Sequence, residues 1–382
     1  IVPTGTIGTN DWFTSNVTLT LNIQDNVSEV NGYGLSEKSA TTYNGTKTLY
    51  LKSDITSKTY YGFVKDTAGN NATCQVTVKR DTTKPTCSLN STGGTYQNGV
   101  YSTDVEITIT QSGGSNYGIS STNSPNYNNK SKYNVTNNVA NKKYYGFVKD
   151  DAGNTNTCEL IVTRISQYGD VDESGKVNAL DETLVSRYIA NQENPTELQM
   201  ATADVNIDGE VNFEDLLILR LYIVGGYGIN NLPYTDRIPL YGDVNLDFTI
   251  NATDVILITS YVSNKTNLTK VQETIADVNI DGVVNYEDIL ILKLYIADGY
   301  GINNLPYISS PPLYGDIDSN SKINANDLTL INNYMANKTT FSPYQMVVAD
   351  VNLDGEVDDE DAQILKKYIS GGHGIDKLPY TE

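Results

Sequence analysis

The carboxy-terminal part of the chain repeats one acidic loop six times, at two alternating spacings. The six copies, loops 1 to 6, begin at Asp170, Asp204, Asp243, Asp277, Asp316 and Asp350. Successive loops start 34, 39, 34, 39 and 34 residues apart, so the unit is a pair of loops that returns every 73 residues, three times. Such a period predicts an array of three similar small domains, each built around two loops.

Each copy places oxygen-bearing side chains at the same positions of a twelve-residue loop. In loop 2, Asp204, Asn206, Asp208 and Asp215 stand at positions 1, 3, 5 and 12, and Gly209 stands at position 6. This is the spacing of an EF-hand calcium loop, in which hard oxygens converge on one ion and position 7 adds a backbone carbonyl. Gly at position 6 permits a left-handed turn. The pattern predicts one Ca²⁺ per loop, up to six in the chain.

The predicted ligands occupy positions 1, 3, 5, 7 and 12 of every loop. In chain order they are Asp170, Asp172, Ser174, Lys176 and Asp181; Asp204, Asn206, Asp208, Glu210 and Asp215; Asp243, Asn245, Asp247, Thr249 and Asp254; Asp277, Asn279, Asp281, Val283 and Asp288; Asp316, Asp318, Asn320, Lys322 and Asp327; and Asp350, Asn352, Asp354, Glu356 and Asp361. Clusters of Asp, Asn and Gly can be simple turns. Six copies in one register, each followed by an apolar helical pattern, argue against that explanation.

The odd-numbered loops depart from the scheme. Loop 1 has Ser174 at position 5, and loops 3 and 5 have Phe248 and Ser321 at position 6. A left-handed residue other than Gly costs on the order of 1 kcal/mol, so we expect these loops to bind calcium less tightly. In all loops we expect position 12 to open the following helix, and the apolar residue at position 8 to form a short strand-like contact between paired loops.

Charge and composition exclude several classes of function. Of 46 acidic and 26 basic residues, residues 1–164 carry 12 and 14, so the net charge of -20 arises wholly from the loop region. Six Ca²⁺ would lift that charge to about -8. The acidic balance argues against nucleic-acid binding, and no apolar run approaches the roughly 20 residues of a membrane span. One His and three Cys argue against His-dependent catalysis and four-thiolate metal centres.

The amino-terminal part repeats a different pattern. The segment from Tyr60 to Asn70 returns as Tyr144 to Asn154, at an offset of 84 residues. It predicts two strands joined by a tight turn of Asp, Gly and Asn residues. Residues 17–21 and 105–109 alternate apolar and polar side chains with period two, as half-buried strands do. These patterns predict two all-β sandwiches.

The paired loops, each followed by a helix but lacking the entering helix of a full EF-hand, resemble type I dockerin modules. The resemblance covers residues 166–382 and is strongest over 204–223, 277–296 and 350–369. It implies calcium-dependent folding and binding to cohesin-like domains of a scaffold protein, as in cellulosome-like complexes. In that family, partner contacts concentrate at loop positions 10 and 11 and on the following helix. It also implies an aromatic clasp that would pair Tyr168 with Tyr234, Tyr241 with Tyr307, and Tyr314 with Tyr380.

The amino-terminal pair resembles bacterial immunoglobulin-like domains of surface proteins, through the segment Phe-Val-Lys-Asp-Xaa-Ala-Gly-Asn. Such domains are usually spacers and sometimes bind ligands, and we expect spacers here. Aligning the two copies places Cys87 and Cys158 in the first and last strands of the second sandwich, where a disulfide between them is expected. Cys74 is left without a partner because Gly5 stands at the matching position. A disulfide fits an extracellular setting.

The expected fold class is multidomain: two all-β immunoglobulin-like sandwiches followed by three mainly α dockerin-like modules with paired calcium loops. The expected sandwiches are residues 1–80 and 81–164. The expected modules, called modules 1, 2 and 3 below, are residues 165–236, 237–309 and 310–382. Because the sequence starts at Ile1 rather than at Met, we expect a mature or excised piece of a longer protein.

Three functions follow from these patterns. The leading hypothesis is a non-catalytic, calcium-binding assembly protein, extracellular or on the cell surface, whose modules dock on cohesin-like domains. The constant period, without flexible linkers between modules, favours as an alternative a structural subunit of an extracellular filament or surface layer that contacts copies of itself. A third hypothesis is the carboxy-terminal part of a polysaccharide-degrading enzyme, although the loops already account for most carboxylates.

Overall fold

The computed structural model describes residues 1–298, 301–371 and 373–381, and the chain divides into two compact units, Ile1–Ser166 and Gln167–Glu382. The first unit is built from strands and the second from helices and loops. The expected fold class is confirmed. No helix among the described residues has the length and apolar character needed to cross a bilayer.

The strands of the first unit form two sandwiches. Those of the first sandwich are β1 (Val2–Thr4), β2 (Trp12–Phe13), β3 (Val17–Thr20), β4 (Val30–Ser36), β5 (Thr48–Leu51), β6 (Ile55–Asp66) and β7 (Asn71–Arg80). Those of the second are β8 (Thr86–Thr92), β9 (Val105–Ser112), β10 (Asn116–Ser120), β11 (Lys132–Val135), β12 (Val139–Lys149) and β13 (Thr155–Arg164). The sheet orders are β1-β3-β5 and β2-β7-β6-β4 in the first sandwich, and β11-β9-β8 and β10-β12-β13 in the second.

Each sandwich buries the apolar side chains of its alternating strands between its two sheets. In the first core, Leu19 of β3 lies with Leu35 of β4 and Val78 of β7, and in the second, Ile107 of β9 lies with Val162 of β13. The polar residues between them stay partly exposed, because successive strand residues point to opposite faces. The period-two alternation therefore predicted these strands correctly.

The repeated turn closes a hairpin in each sandwich. The Asp66 backbone N–H donates to the Asn70 carbonyl at 3.1 Å, and its carboxylate accepts from the Asn70 N–H at 2.8 Å. Asp150 and Asn154 repeat both contacts in the β12–β13 hairpin. The Asp side chain thus substitutes for a missing backbone acceptor, as in an Asx turn.

The cysteines of the second sandwich are joined. Cys87 of β8 and Cys158 of β13 form a disulfide with a Cα–Cα distance of 5.8 Å. Cys74 is a free, exposed cysteine. The two sandwiches also touch, because the Thr9 backbone N–H donates to the Ala152 carbonyl at 2.9 Å.

The second unit has one helix after each loop and a shorter helix before each even-numbered loop. The six that follow loops are α1 (Ala179–Ile189), α3 (Phe213–Val224), α4 (Ala252–Val262), α6 (Tyr286–Ile296), α7 (Ala325–Met335) and α9 (Asp359–Ser370). The three that precede loops are α2 (Glu197–Ala203), α5 (Lys270–Ala276) and α8 (Pro343–Ala349). Within a module, the two helices that follow loops pack on each other: α1 on α3, α4 on α6 and α7 on α9.

Two local expectations are wrong. The expectation that every loop lacks an entering helix fails for loops 2, 4 and 6, which follow α2, α5 and α8 directly. The sequence carries the signal, since Thr196 and Gln199 form a capping box, as do Thr269 and Gln272. The expected strand-like contact at position 8 is not found among the described residues of this unit, because these side chains pack into the module cores instead, as Val211 does.

The closing segment of each module contacts the second loop of the module and the glycine that precedes its first loop. The Tyr234 backbone N–H donates to the Val205 carbonyl at 2.8 Å, and a Cβ at Gly169 would lie 2.7 Å from a methyl carbon of Leu232. The same contacts recur in modules 2 and 3. Glycine at this position therefore lets the closing leucine approach the backbone. The pairing of the tyrosine rings across these ends remains a prediction.

Candidate calcium loops

The aspartate at position 12 is fully buried in every loop. The six residues, each 0% exposed, are Asp181, Asp215, Asp254, Asp288, Asp327 and Asp361. In loop 4, Asp288 Oδ1 accepts from the Val278 N–H at 2.9 Å, and Oδ2 accepts from the Asn285 N–H at 2.8 Å. This carboxylate closes the loop, and its oxygens keep lone pairs that can face a cation.

The helix after each loop begins earlier than the sequence predicts. It starts at position 10, position 9 is its N-cap, and the aspartate at position 12 is the third helical residue. In loop 4, Asn285 accepts from the Glu287 N–H while Asp288 accepts from the Asn285 N–H, which is a reciprocal capping box. The expectation that position 12 opens the helix is therefore wrong by two residues, because the loop and the helix share this carboxylate.

Backbone N–H groups of the loop converge on the aspartate at position 1. Asp277 Oδ1 accepts from the Asp281 N–H at 3.0 Å, and its Oδ2 accepts from the Gly282 N–H at 3.2 Å. Loop 3 repeats the second contact without a glycine, since the Phe248 N–H donates to Asp243 Oδ2 at 2.9 Å. Backbone donors thus orient the carboxylate at position 1 independently of a bound ion.

Position 6 is left-handed whether or not it is glycine. Gly282 has a φ of 89°, whereas Phe248 and Ser321 have φ values of 66° and 62°. The Arg237 guanidinium lies 4.3 Å from the centre of the Phe248 ring, a cation–π contact that offsets part of the strain. The weaker binding expected of the odd-numbered loops remains a prediction, which calorimetry of the separate sites would check.

A second left-handed residue lies at position 4, and sequence reasoning missed it. Its φ is 60° at Ile207, 59° at Ile280 and 62° at Leu353. The available signal was weak, because an apolar residue between an Asn and an Asp does not by itself indicate this conformation. The strain at position 4 persists only because the converging side chains on either side fix the backbone.

The donor set fits a hard cation. One carboxylate oxygen from each of Asp170, Asp172 and Asp181 lies within 4.8 Å of the other two, and loop 5 repeats this convergence. The even-numbered loops have Asn at position 3, which offers an amide oxygen instead. Among the described residues, Asp350 Oδ1 is buried without a hydrogen-bond partner. Calcium prefers such oxygen ligands and would satisfy this buried atom.

Burial raises the pKa of the carboxyls that would hold the ion. The pKa of Asp215 and of Asp288 rises to about 7, and that of Asp361 to about 6, chiefly because burial disfavours the charged form. Burial also raises the pKa of Asp204 and Asp277 at position 1. A bound Ca²⁺ would neutralise these carboxylates and remove the cost of burying them.

These shifts predict a pH dependence of calcium binding. Without calcium, the folded state retains protons on Asp215 and Asp288 that the unfolded state has lost, so the stability of the calcium-free fold rises as the pH falls from about 7 towards 4. Calcium must displace these protons. The calcium affinity should therefore fall about tenfold per pH unit below pH 7 for each proton that is displaced. Calcium titrations between about pH 5 and pH 8 check this prediction. A calcium affinity that stays unchanged as the pH falls to about 5 would contradict it.

Known proteins resemble both units. The family described as "Dockerin type I domain" matches residues 168–224, 241–297 and 314–370. One chain in the structure of the third cohesin ScaC in complex with the ScaB dockerin from Acetivibrio cellulolyticus is 32% identical to this protein. The match covers 18% of this chain and 92% of that chain, with a TM-score of 0.16. The fibronectin(III)-like modules of Clostridium thermocellum CbhA share 10% identity over 43% of this chain and 95% of that chain, with a TM-score of 0.25.

Murine CEACAM1b shares 11% identity over 40% of this chain and 94% of that chain, with a TM-score of 0.26. Among curated proteins, none matches this chain. The three family matches coincide with the three loop pairs. Type I dockerin domains bind calcium, and the acidic clusters of the loops fit that property. The second unit of the chain therefore consists of three tandem type I dockerin domains, preceded by two immunoglobulin-like sandwiches.

Proposed function

We propose that this chain is a non-catalytic, extracellular assembly protein that uses its dockerin domains to dock on cohesin domains of a scaffold protein. The observation that carries the proposal is the coincidence of three family matches with three pairs of capped acidic loops. A dockerin is a protein–protein interaction domain whose partner is a cohesin. The cellulosome-like, polysaccharide-degrading context and the location outside the cell are part of the proposal.

The helices that follow the first loop of modules 1 and 2, α1 and α4, supply apolar surface for such a partner. Leu180 on α1 is 53% exposed and Ile256 on α4 is 62% exposed, although both helices bury their opposite faces. Single exposed aliphatic side chains are normal on a protein surface, so these two support the proposal as available contact points and do not by themselves require a partner. Leu180 stands at position 11 of loop 1, where the dockerin family makes contact with its partner.

Most carboxylates of the second unit belong to its six loops, and the proposal assigns them to calcium binding rather than to catalysis. The six position-12 aspartates accept backbone N–H groups as helix caps, a structural role that accounts for their burial. A perturbed carboxyl pKa indicates catalysis only when structure does not already explain it. The amino-terminal sandwiches have apolar cores and act as spacers in this proposal.

Binding to purified type I cohesins tests the proposal. The full chain should bind at least one member of a panel of immobilised cohesins in calcium and should be released by EDTA. The Leu180→Asp/Ile256→Asp variant should weaken this binding, whereas the matched Leu51→Asp change in a sandwich core should act only through the stability of the first unit. Failure to bind any cohesin of the host organism would sink the proposal.

A structural subunit of a filament is the second candidate. It is favoured by direct ion pairs between consecutive modules, such as Arg220 with Asp277 at 3.3 Å, which suit a rigid rod better than separate docking units. Electron microscopy of the native material tests it. Ordered polymers would support this candidate, and isolated chains at high concentration would exclude it.

A further inference from the structure

Two basic residues connect consecutive modules at matching positions. Arg220 of α3, in module 1, donates from Nη1 to Asp277 Oδ2 of module 2 at 3.3 Å. Lys293 of α6, one 73-residue period later, donates from Nζ to Asp350 Oδ2 of module 3 at 3.2 Å. Both acceptors stand at position 1 of an even-numbered loop. A cation of one module therefore contacts a candidate calcium ligand of the next.

The packing of the helices brings these cations to the loops. Helix α3 packs on α5 of module 2, and α6 packs on α8 of module 3. Asp277 and Asp350 are the C-cap residues of α5 and α8, so a side chain that reaches the end of either helix also reaches position 1 of the loop. The negative end of the helix dipole favours a cation at this place.

The two oxygens of the position-1 carboxylate in loop 6 differ in their partners. Asp350 Oδ2 accepts from Lys293, whereas Asp350 Oδ1 is buried without a hydrogen-bond partner among the described residues. Asp350 is only 4% exposed and Asp277 only 5%. A buried carboxylate carries one negative charge, and a cation at one oxygen reduces the attraction that the other oxygen exerts on a second cation. The preceding module thus opposes calcium electrostatically without occupying the unpartnered oxygen.

Loop 2 has the same candidate ligands as loop 4 but no such cation. The two loops carry identical residue types at positions 1, 3, 5, 6, 9 and 12. Asp204 Oδ2 accepts from the Gly209 N–H at 3.1 Å, as Asp277 Oδ2 accepts from the Gly282 N–H at 3.2 Å. Within the part of the chain that the structure describes, no Lys or Arg forms an ion pair with Asp204. The cation of the preceding module is therefore what distinguishes position 1 of loop 4.

We propose that Arg220 and Lys293 lower the calcium affinity of loops 4 and 6, so that modules 1 and 2 each set the affinity of one loop in the module that follows. Two cations beside one buried carboxylate repel each other more strongly than they would in water. Glu182 accepts from Arg220 Nε at 2.7 Å and offsets part of this repulsion at loop 4. Because linkage is reciprocal, filling of loop 4 weakens the contact of Arg220 with Asp277 by the same factor.

Glycine amides at position 6 report the filling of each even-numbered loop in the full chain. Gly209, Gly282 and Gly355 each follow an Asp, so nuclear magnetic resonance of a chain labelled at the Asp carbonyl carbon and the Gly nitrogen selects them with few other signals. The Gly282 N–H donates to Asp277 Oδ2, so its resonance shifts when the charge of that carboxylate is neutralised. Titration in calcium buffers then gives the free calcium concentration at which each loop is half filled.

Arg220→Met is expected to raise the calcium affinity of loop 4 about tenfold and to leave that of loop 2 unchanged. Methionine keeps an apolar stem in place of a side chain that is only 13% exposed, and it removes the charge. Arg220→Lys keeps the charge and should keep the native affinity, which a purely structural role of Arg220 would not predict. Lys366→Met is the matched control, because Lys366 stands at the equivalent position of α9, is exposed, and forms no ion pair with another described residue.

Lys293→Met provides a second test if Arg220→Met does not fold. Its side chain is 23% exposed, and its loss should raise the affinity of loop 6, measured at Gly355, by a similar factor. In variants with native circular dichroism, a loop affinity that falls or stays unchanged would overturn the proposal. Equal effects of Arg220→Met and Lys366→Met, or a Gly282 resonance that does not respond to calcium, would overturn it as well. The titration contains no cohesin, so its result is separate from any failure of the proposed docking function.

Discussion

Removal of calcium with EDTA is expected to unfold residues 167–382 and to leave the two sandwiches folded. The position-12 aspartates are fully buried, and the described helices of this unit are at most 12 residues long, as in α3. Such short helices are marginal in water and depend on packing. Without a cation, each loop would bury several carboxylates that repel one another, whereas the first unit keeps two apolar cores and a disulfide.

Far-UV circular dichroism and proteolysis measure this outcome together. The helical signal should fall on addition of EDTA and return with excess calcium, while a protease should leave a resistant fragment close to residues 1–166. Calcium added before EDTA is the control for nonspecific effects of the chelator. A helical signal that survives complete removal of calcium would contradict the account of the loops.

The second large effect is expected from Asp288→Asn in loop 4. This change removes one charge and turns an acceptor oxygen into an amide donor that faces the Asn285 N–H, which Asp288 Oδ2 now accepts at 2.8 Å. The variant thereby loses a candidate calcium ligand and half of a capping box. We expect a loss on the order of 3 kcal/mol, or more than about 100-fold in the calcium affinity of loop 4.

Glu287→Gln is the matched control for this substitution. It makes the same change of charge one residue earlier, at an exposed side chain whose backbone N–H donates to Asn285. The Glu287 carboxylate accepts only a long contact of 3.4 Å from Asn279 Nδ2, which a glutamine oxygen can also accept. Calorimetry should show one weakened calcium site in Asp288→Asn and none in Glu287→Gln. Equal calcium binding by the two variants would show that position 12 does not hold the ion.

The backbone of the loops could be predicted from the sequence because local chemistry fixes the spacing of their residues. A candidate ligand at every second position and a left-handed residue at position 6 form a readable pattern, and Phe248 adopts that conformation despite its side chain. Which side chains bind calcium remains a prediction. The entering helices were also readable, since Thr196 and Gln199 stand three residues apart before an apolar run. They were missed because the family resemblance implied that no such helix precedes the loops.

Contacts between domains were beyond prediction from the sequence. Leu217 and Leu221 indicate a second buried face on α3, but the period of the repeat does not show which neighbouring element covers that face. Likewise, nothing in the strand pattern indicates that Thr9 donates to Ala152.

The central claim is that six loops hold calcium within three folded dockerin domains. Native mass spectrometry of the intact chain, equilibrated with calcium and then freed of excess salt, tests it most directly. The account predicts a dominant species with six bound Ca²⁺, two per domain, and loss of all six on treatment with EDTA. A folded chain that carries no calcium, or the same mass before and after EDTA, would contradict it.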